Sequence, residues 1–243
     1  MTNAIILAGG LGTRLGSVLN GRPKPMADVN GRPFLAYLLD YIATSAAGID
    51  RVLLSVGYKQ GVIMDYFGLS YNGLAIDYAV EGTPLGTGGA IRKALLASRS
   101  KDVFVLNGDS FFCVDLNALA RRHVSSGTFL TLSLKRMSET GRYGAVTVTN
   151  GKVTGFEEKT TARGGLINAG VYVMNREAMS RGLAPWPEAF SFEREFLPGC
   201  KTGRPAIEIA SEISDGYFID IGIPEDYERA KTELAGEFKG VVG

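Results

Sequence analysis

Apolar and polar positions along this chain fall into short runs that alternate in kind. Residues 4–7 (A-I-I-L) are apolar without a break and end at a glycine-rich loop, the pattern of a strand buried on both faces. Leu35, Leu38, Leu39 and Ile42 recur at helical spacing within residues 32–48, and Gly48 marks the stop. Residues 51–57 (R-V-L-L-S-V-G) predict a second buried strand, 60–67 a short amphipathic helix and 75–80 a third strand with Glu81 at its end. The loop E-G-T-P-L-G-T-G-G-A follows, and Gly88 or Gly89 opens a helix that runs to about residue 98. Residues 102–106 predict a fourth strand, which delivers N-G-D at 107–109.

Strand–helix alternation of this kind implies parallel strands joined by right-handed crossovers, with helices on both faces. In such open sheets a ligand sits beyond the carboxyl ends of the strands. The Gly9 loop, Glu81 and Asp109 all stand at predicted carboxyl ends, so three separate loops converge on one sheet edge. The second half reads differently. A helix is expected over 116–124, a strand over 128–134 and a hairpin through 142–159, with Asn150-Gly151 as its tight turn. Further expectations are a strand over 168–174, a helix over 188–197, a short strand over 218–221 and a last helix with Pro224 in its first turn. No linker and no hexapeptide repeat is visible, so residues 1–243 read as one domain without a β-helix tail. Within it, 1–112 carries the strand–helix alternation and 113–243 the hairpins and irregular stretches.

Composition narrows the choice. The chain has 243 residues, 45% hydrophobic and 21% charged, ordinary for a folded soluble protein. Its net charge of +1 argues against a nucleic-acid binder working by bulk charge, so any positive field is local. Cys113 and Cys200 form neither a C-x-x-C pair nor a disulfide framework, which suits a reducing compartment. No apolar run is long enough for a membrane span, and the N-terminus lacks signal-peptide character, so a cytoplasmic location is expected.

Candidate chemistry gathers around the glycine loop. Gly9, Gly10 and Gly12 leave backbone N–H groups bare, and Arg14 and Lys24 add two positive charges, the second stiffened between Pro23 and Pro25. A polyphosphate fits such a loop. Neither G-x-G-x-x-G nor G-x-x-x-x-G-K-[ST] is complete here. Asp109 and Asp220 each end an apolar strand; singly each reads as a turn cap, together as a magnesium pair, which spacing along the chain does not decide. Glu157, Glu158 and Lys159 read singly as solvated charges. His123 reads as structural, and with one histidine in the chain a Ser-His-Asp site is poorly supported. Phe111, Phe112, Tyr217 and Phe218 read as packing residues.

Taken together, L-A-G-G-L-G-T-R-L…P-K-P, P-L-G-T-G-G-A, N-G-D, F-E-E-K, N-A-G and F-I-D-I-G-x-P-E-D-Y resemble the sugar-1-phosphate nucleotidyltransferases over nearly the whole chain. Within that family the branch that acts on D-glycero-D-manno-heptose 1-phosphate with GTP is the most similar. The resemblance implies an α/β, Rossmann-like three-layer fold with a mixed, mostly parallel central sheet, residues 1–112 being mainly the nucleotide-binding part and 113–243 mainly the sugar-phosphate-binding part. It implies that Leu7, Ala8, Gly9, Gly10, Gly12 and Thr13 wrap the nucleoside triphosphate, with Arg14 on the β- and γ-phosphates and Lys24 at the α-phosphate. Glu81, Leu85, Gly86, Thr87, Asn107 and Gly108 would complete the nucleotide site. Gly144, Glu158, Lys159 and Asn168 would take the sugar phosphate, and Asp109 and Asp220 would hold Mg²⁺. Glu81 is the only acidic residue of its loop, and guanine offers two donors that one carboxylate accepts; the alternative is that Glu81 only caps the loop. Other readings are mannose-1-phosphate guanylyltransfer, uridylyl transfer to an amino-sugar phosphate, a metal-dependent glycosyltransferase or a nucleotide-sugar sensor. The partners implied are GTP and a sugar 1-phosphate, with no nucleic acid or membrane; a homo-oligomer is left open.

Overall fold

The protein is described from a computed structural model, which covers the chain apart from residues 1, 11, 13, 14, 16–18, 20, 46, 142, 158–162, 203–206 and 238–243. Strand β1 (Thr2–Leu7) leads, after a 3-10 turn at Lys24–Met26, to a two-strand ribbon, β2 (Asp28–Val29) and β3 (Arg32–Pro33), and helix α1 (Phe34–Thr44). Then come β4 (Ile49–Val56), α2 (Gln60–Phe67), β5 (Ser70–Tyr71), β6 (Leu74–Val80), α3 (Gly86–Ala97) and β7 (Asp102–Asn107). Strand β8 (Ser110–Phe112) and α4 (Leu116–Ser126) lead into the second half: β9 (Leu130–Glu139), β10 (Ala145–Thr149), β11 (Lys152–Glu157) and β12 (Arg163–Asn175). The chain closes with α5 (Arg176–Leu183), a π-helical turn at Phe192–Phe196, α6 (Leu197–Thr202), β13 (Ala210–Ser214), β14 (Phe218–Asp220) and α7 (Pro224–Glu237).

Among the described residues the central sheet has ten strands in the order β10-β11-β13-β9-β12-β7-β1-β4-β6-β5. Strands β7, β1, β4 and β6 are parallel neighbours, as the alternation predicts. Strand β12 enters antiparallel to both β7 and β9, so the sheet is mixed and its parallel block lies in the first half. The Asn150-Gly151 turn has φ of 51° and 70°, the left-handed pair that a two-residue hairpin turn demands, and β10 and β11 flank it antiparallel.

Period-two alternation explains the layers. On β1, Ala4 and Ile6 join one buried cluster and Ile5 the other. Phe104 and Leu106 of β7 follow the first set, Val103 and Val105 the second. Helices α1, α2, α4 and α7 pack on the first face; α3, α5 and α6 pack on the second. A strand buried on both faces needs an unbroken apolar run, which is why residues 4–7 carry no polar side chain.

The expectation of a helix over 188–197 is corrected here. Phe190 is held outside any helix by its N–H, which donates to the Leu85 carbonyl at 3.0 Å, and by its own carbonyl, which accepts the Gly88 N–H at 2.9 Å. Helical structure starts only after Ser191, whose hydroxyl caps the Arg194 N–H. Long-range backbone pairing outweighs the local helical pattern. The short strands β2, β3, β5 and β8, strand β13 and helix α5 lie outside what the pattern predicts.

Candidate active site

The carboxyl ends of β1, β6 and β7 open on a cleft of about 1360 Å³. Its floor is built by close approach of two loops. After β7 the chain turns so tightly that the Gly108 N–H donates to the Leu7 carbonyl at 3.0 Å. A Cβ at Gly108 would stand 2.5 Å from that oxygen, so N-G-D needs its glycine to pack on β1. Asp109, next along, lines the cleft.

Two facts of register bring Asp220 to the same point. Strands β8 and β14 pair antiparallel with Asp220 opposite Ser110, and the Ile221 N–H donates to the Asp109 carbonyl at 3.0 Å. Edge-on contacts Phe112–Phe218 and Tyr143–Phe218, with ring centroids 6.0 and 5.6 Å apart, pack this ribbon; Phe111 and Phe112 are buried, while Phe218 and Tyr143 also line the cleft. Lys24 reaches both carboxylates: its Nζ lies 2.7 Å from Asp109 Oδ2 and 3.8 Å from Asp220 Oδ1. The lysine is fixed by the 3-10 turn, where the Met26 N–H donates to the Pro23 carbonyl at 2.8 Å, and its side chain is only 13% exposed. The ammonium thus marks one point at which two hard oxygen donors converge, which fits a divalent cation with phosphate oxygens completing its shell.

Leu7, Gly9, Gly10, Gly12, Glu81, Gly86, Thr87, Asn107, Gly144 and Asn168 also line the cleft. Ala8, Leu85 and Gly108 do not; they sit behind its wall. Thr13, Arg14, Glu158 and Lys159 lie outside the described residues. Glu81 does cap its loop: Oε1 accepts the Ser55 hydroxyl at 3.1 Å and Oε2 the Leu85 N–H at 3.2 Å. Each oxygen keeps further acceptor capacity, so the cap and a base contact are compatible.

On the opposite wall, β12 carries a bulge: its register against β9 shifts between Asn168 and Tyr172. Gly170 takes φ of 76° there, and a Cβ would stand 2.7 Å from Asn107 Nδ2. The N-A-G motif is thereby pressed onto the N-G-D loop, with Asn168 facing the cleft.

Glu193, absent from the expected site, also lines the cleft. Its carboxylate accepts the Thr87 hydroxyl at 2.5 Å and the Tyr172 hydroxyl at 3.4 Å. Burial raises its pKa above the ordinary carboxylate value, with the Thr87 bond acting against the shift and the charge of Asp109 adding to it. In sequence, Phe192 and Phe196 at four-residue spacing make Glu193 look like the solvated face of a helix; its one local signal is the break in that pattern at Ser191.

The family model described as Nucleotidyl transferase matches residues 3–237. A D-glycero-alpha-D-manno-heptose 1-phosphate guanylyltransferase from Aneurinibacillus thermoaerophilus is 46% identical over 95% of this chain and 97% of that protein. A mannose-1-phosphate guanylyltransferase from Mycobacterium tuberculosis is 38% identical over 96% of this chain and 64% of its own length. The crystal structure of HddC from Yersinia pseudotuberculosis complexed with GMP-PN superposes with a TM-score of 0.81 at 34% identity, covering 96% of this chain and all of that one. No helix of the described residues is long and apolar enough to cross a membrane.

Proposed function

Because this chain belongs to the nucleotidyl transferase family, we propose that it transfers GMP from GTP to D-glycero-α-D-manno-heptose 1-phosphate, releasing pyrophosphate. The observation that carries the reading is Lys24 between Asp109 and Asp220 on the cleft floor, beyond the carboxyl ends of the parallel strands. Identity to the Aneurinibacillus enzyme over nearly both full lengths supports the heptose, and the likeness to the GMP-PN complex supports the guanine nucleotide.

The nucleophile is an oxygen of the sugar 1-phosphate, already anionic near neutral pH, so no general base is required. It attacks the α-phosphorus in line, and the bond to the bridging oxygen of pyrophosphate breaks. Two anions must meet, so catalysis rests on neutralising and aligning charge. We assign Lys24 to the α-phosphate and Arg14 to the departing β- and γ-phosphates. Asp109 and Asp220 would hold Mg²⁺, which supplies charge neutralisation and orientation of phosphate oxygens when bound. Glu81 would accept the guanine N1–H and N2–H. Gly144, Asn168, Glu158 and Lys159 would take the sugar phosphate, with Lys159 on its phosphate group.

A matrix of nucleoside triphosphates against sugar 1-phosphates, read by pyrophosphate release, tests this. GTP with the heptose 1-phosphate is expected to be fastest. Equal rates with GTP and UTP would refute the guanine assignment. Faster turnover of mannose 1-phosphate would move the substrate to that of the Mycobacterium relative.

A further inference from the structure

Hydrogen-bond direction around Glu193 is fixed at both ends by backbone N–H groups, which only donate. At one end the Phe192 N–H donates to Thr87 Oγ1 at 2.8 Å. The Thr87 proton therefore goes to its other neighbour, Glu193 Oε2. At the far end the Gly170 N–H donates to Asn168 Oδ1 at 3.2 Å. That contact orients the Asn168 amide and turns its Nδ2 to the Tyr172 hydroxyl, at 2.9 Å. Tyr172 accepts there, so its own proton goes to Glu193 Oε1. Two chains of donors thus run inward and end on one carboxyl group, which when ionised only accepts.

We propose that Glu193 is a positioning residue of the sugar site: it holds the Tyr172 hydroxyl as a donor and thereby keeps the Asn168 amide with one N–H on Tyr172, its second N–H on the cleft side and its oxygen turned away. Among the described residues the second Nδ2–H of Asn168 makes no bond, and Asn168 lines the cleft. The group it meets on the sugar must then be an acceptor, a hydroxyl or phosphate oxygen. Placement on a π-helical turn agrees with a functional role, since such turns are frequent at functional sites. The proposal rests on the assignment of Asn168 to the sugar made above.

Glu193→Gln keeps size and removes the all-acceptor character. The new NH₂ must face either the Thr87 or the Tyr172 hydroxyl, and meeting Tyr172 it reverses that hydroxyl toward Asn168. Steady-state kinetics with GTP and D-glycero-α-D-manno-heptose 1-phosphate read the consequence. Expected is a rise of about tenfold in the sugar KM, one lost hydrogen bond, with the GTP KM and kcat little changed. Tyr172→Phe, which keeps the buried ring, is expected to do the same and covers the case in which Glu193→Gln fails to fold. In an Asn168→Ala background neither change should raise the sugar KM further. Equal rises in both KM values, or effects that multiply with Asn168→Ala, overturn the proposal; multiplication would place Glu193 on the sugar itself. A raised sugar KM in Asn168→Ala with none in the other two sinks the relay alone. An unchanged sugar KM in Asn168→Ala removes the Asn168 contact and the relay together.

Discussion

Lys24 holds two carboxylates that would otherwise face each other across the cleft floor. With the ammonium gone, two like charges repel on the cleft floor, an effect softened by solvent because the Asp109 side chain is 43% exposed. Lys24→Met is therefore expected to lower the melting temperature in metal-free buffer, and Mg²⁺ is expected to recover more of it than in the wild type. The same change should lower kcat by on the order of 10²–10³, the cost of one preorganised charge at a transition state. A melting temperature unmoved by the substitution and by Mg²⁺ would separate Lys24 from the two aspartates. Asp109→Asn asks the complementary question. It keeps the Ile221-to-Asp109 backbone bond, so the fold should stand while most turnover is lost. Near-normal kcat at saturating Mg²⁺ would remove Asp109 from the chemistry.

At the scale of elements, the start of α3 is shaped by a neighbour about a hundred residues away. Gly89 lies in the helix, where alanine would normally gain about 1 kcal/mol. Its Cβ, however, would stand 2.3 Å from the Glu188 carbonyl oxygen and 2.9 Å from Leu85 Cβ. Backbone on that side cannot step back, because Phe190 is pinned to Leu85 and Gly88 and its ring stacks on Trp186 at 5.2 Å. Overpacking of this kind costs about 1–3 kcal/mol, so Gly89→Ala is expected to destabilise despite its propensity gain, with a lower urea midpoint and an unchanged slope. A higher midpoint would refute the contact. The same contact shows what local pattern conveys and what it omits. The alternation of strands and helices up to β7 is legible because it rests on periodicities of two and 3.6 within short segments. P-L-G-T-G-G-A is legible as a loop entering a helix, but the reason for its glycines is the segment at Glu188 to Phe190, which periodicity does not reveal. Strand β13 escapes notice because its A-S-E-I-S pattern is short and half polar; it exists by pairing with β9 and β11.

Across the whole molecule, the cleft belongs to neither half of the chain. Asp109 comes from the parallel block and Asp220 from the ribbon that closes back on it, a juxtaposition set by the Ser110–Asp220 register and invisible along the chain. Glu193 enters the cleft by the same kind of long-range pairing. Such pairing also ties α4 to the sheet through His123, which is buried, with Nδ1 2.9 Å from Thr131 Oγ1 of β9 and Nε2 3.6 Å from Asp102 Oδ1 of β7. Burial lowers its pKa from the ordinary value, and Lys101 adds to that, while the Asp102 carboxylate opposes it. The sign follows: the unfolded chain takes up this proton more readily, so the neutral histidine's full stability is present above about pH 6.5 and is lost as pH falls toward the folded-state pKa. Glu193 acts in the opposite sense, since its carboxyl is raised by burial, but it is common to wild type and variant. His123→Gln is expected to melt lower at pH 7.5 yet to lose less stability between pH 6.5 and 5. Over that window one uncompensated proton is worth up to about 1.4 kcal/mol per pH unit, a difference of a few degrees in melting temperature. Parallel melting temperatures for the two proteins across that range would show that His123 titrates alike folded and unfolded.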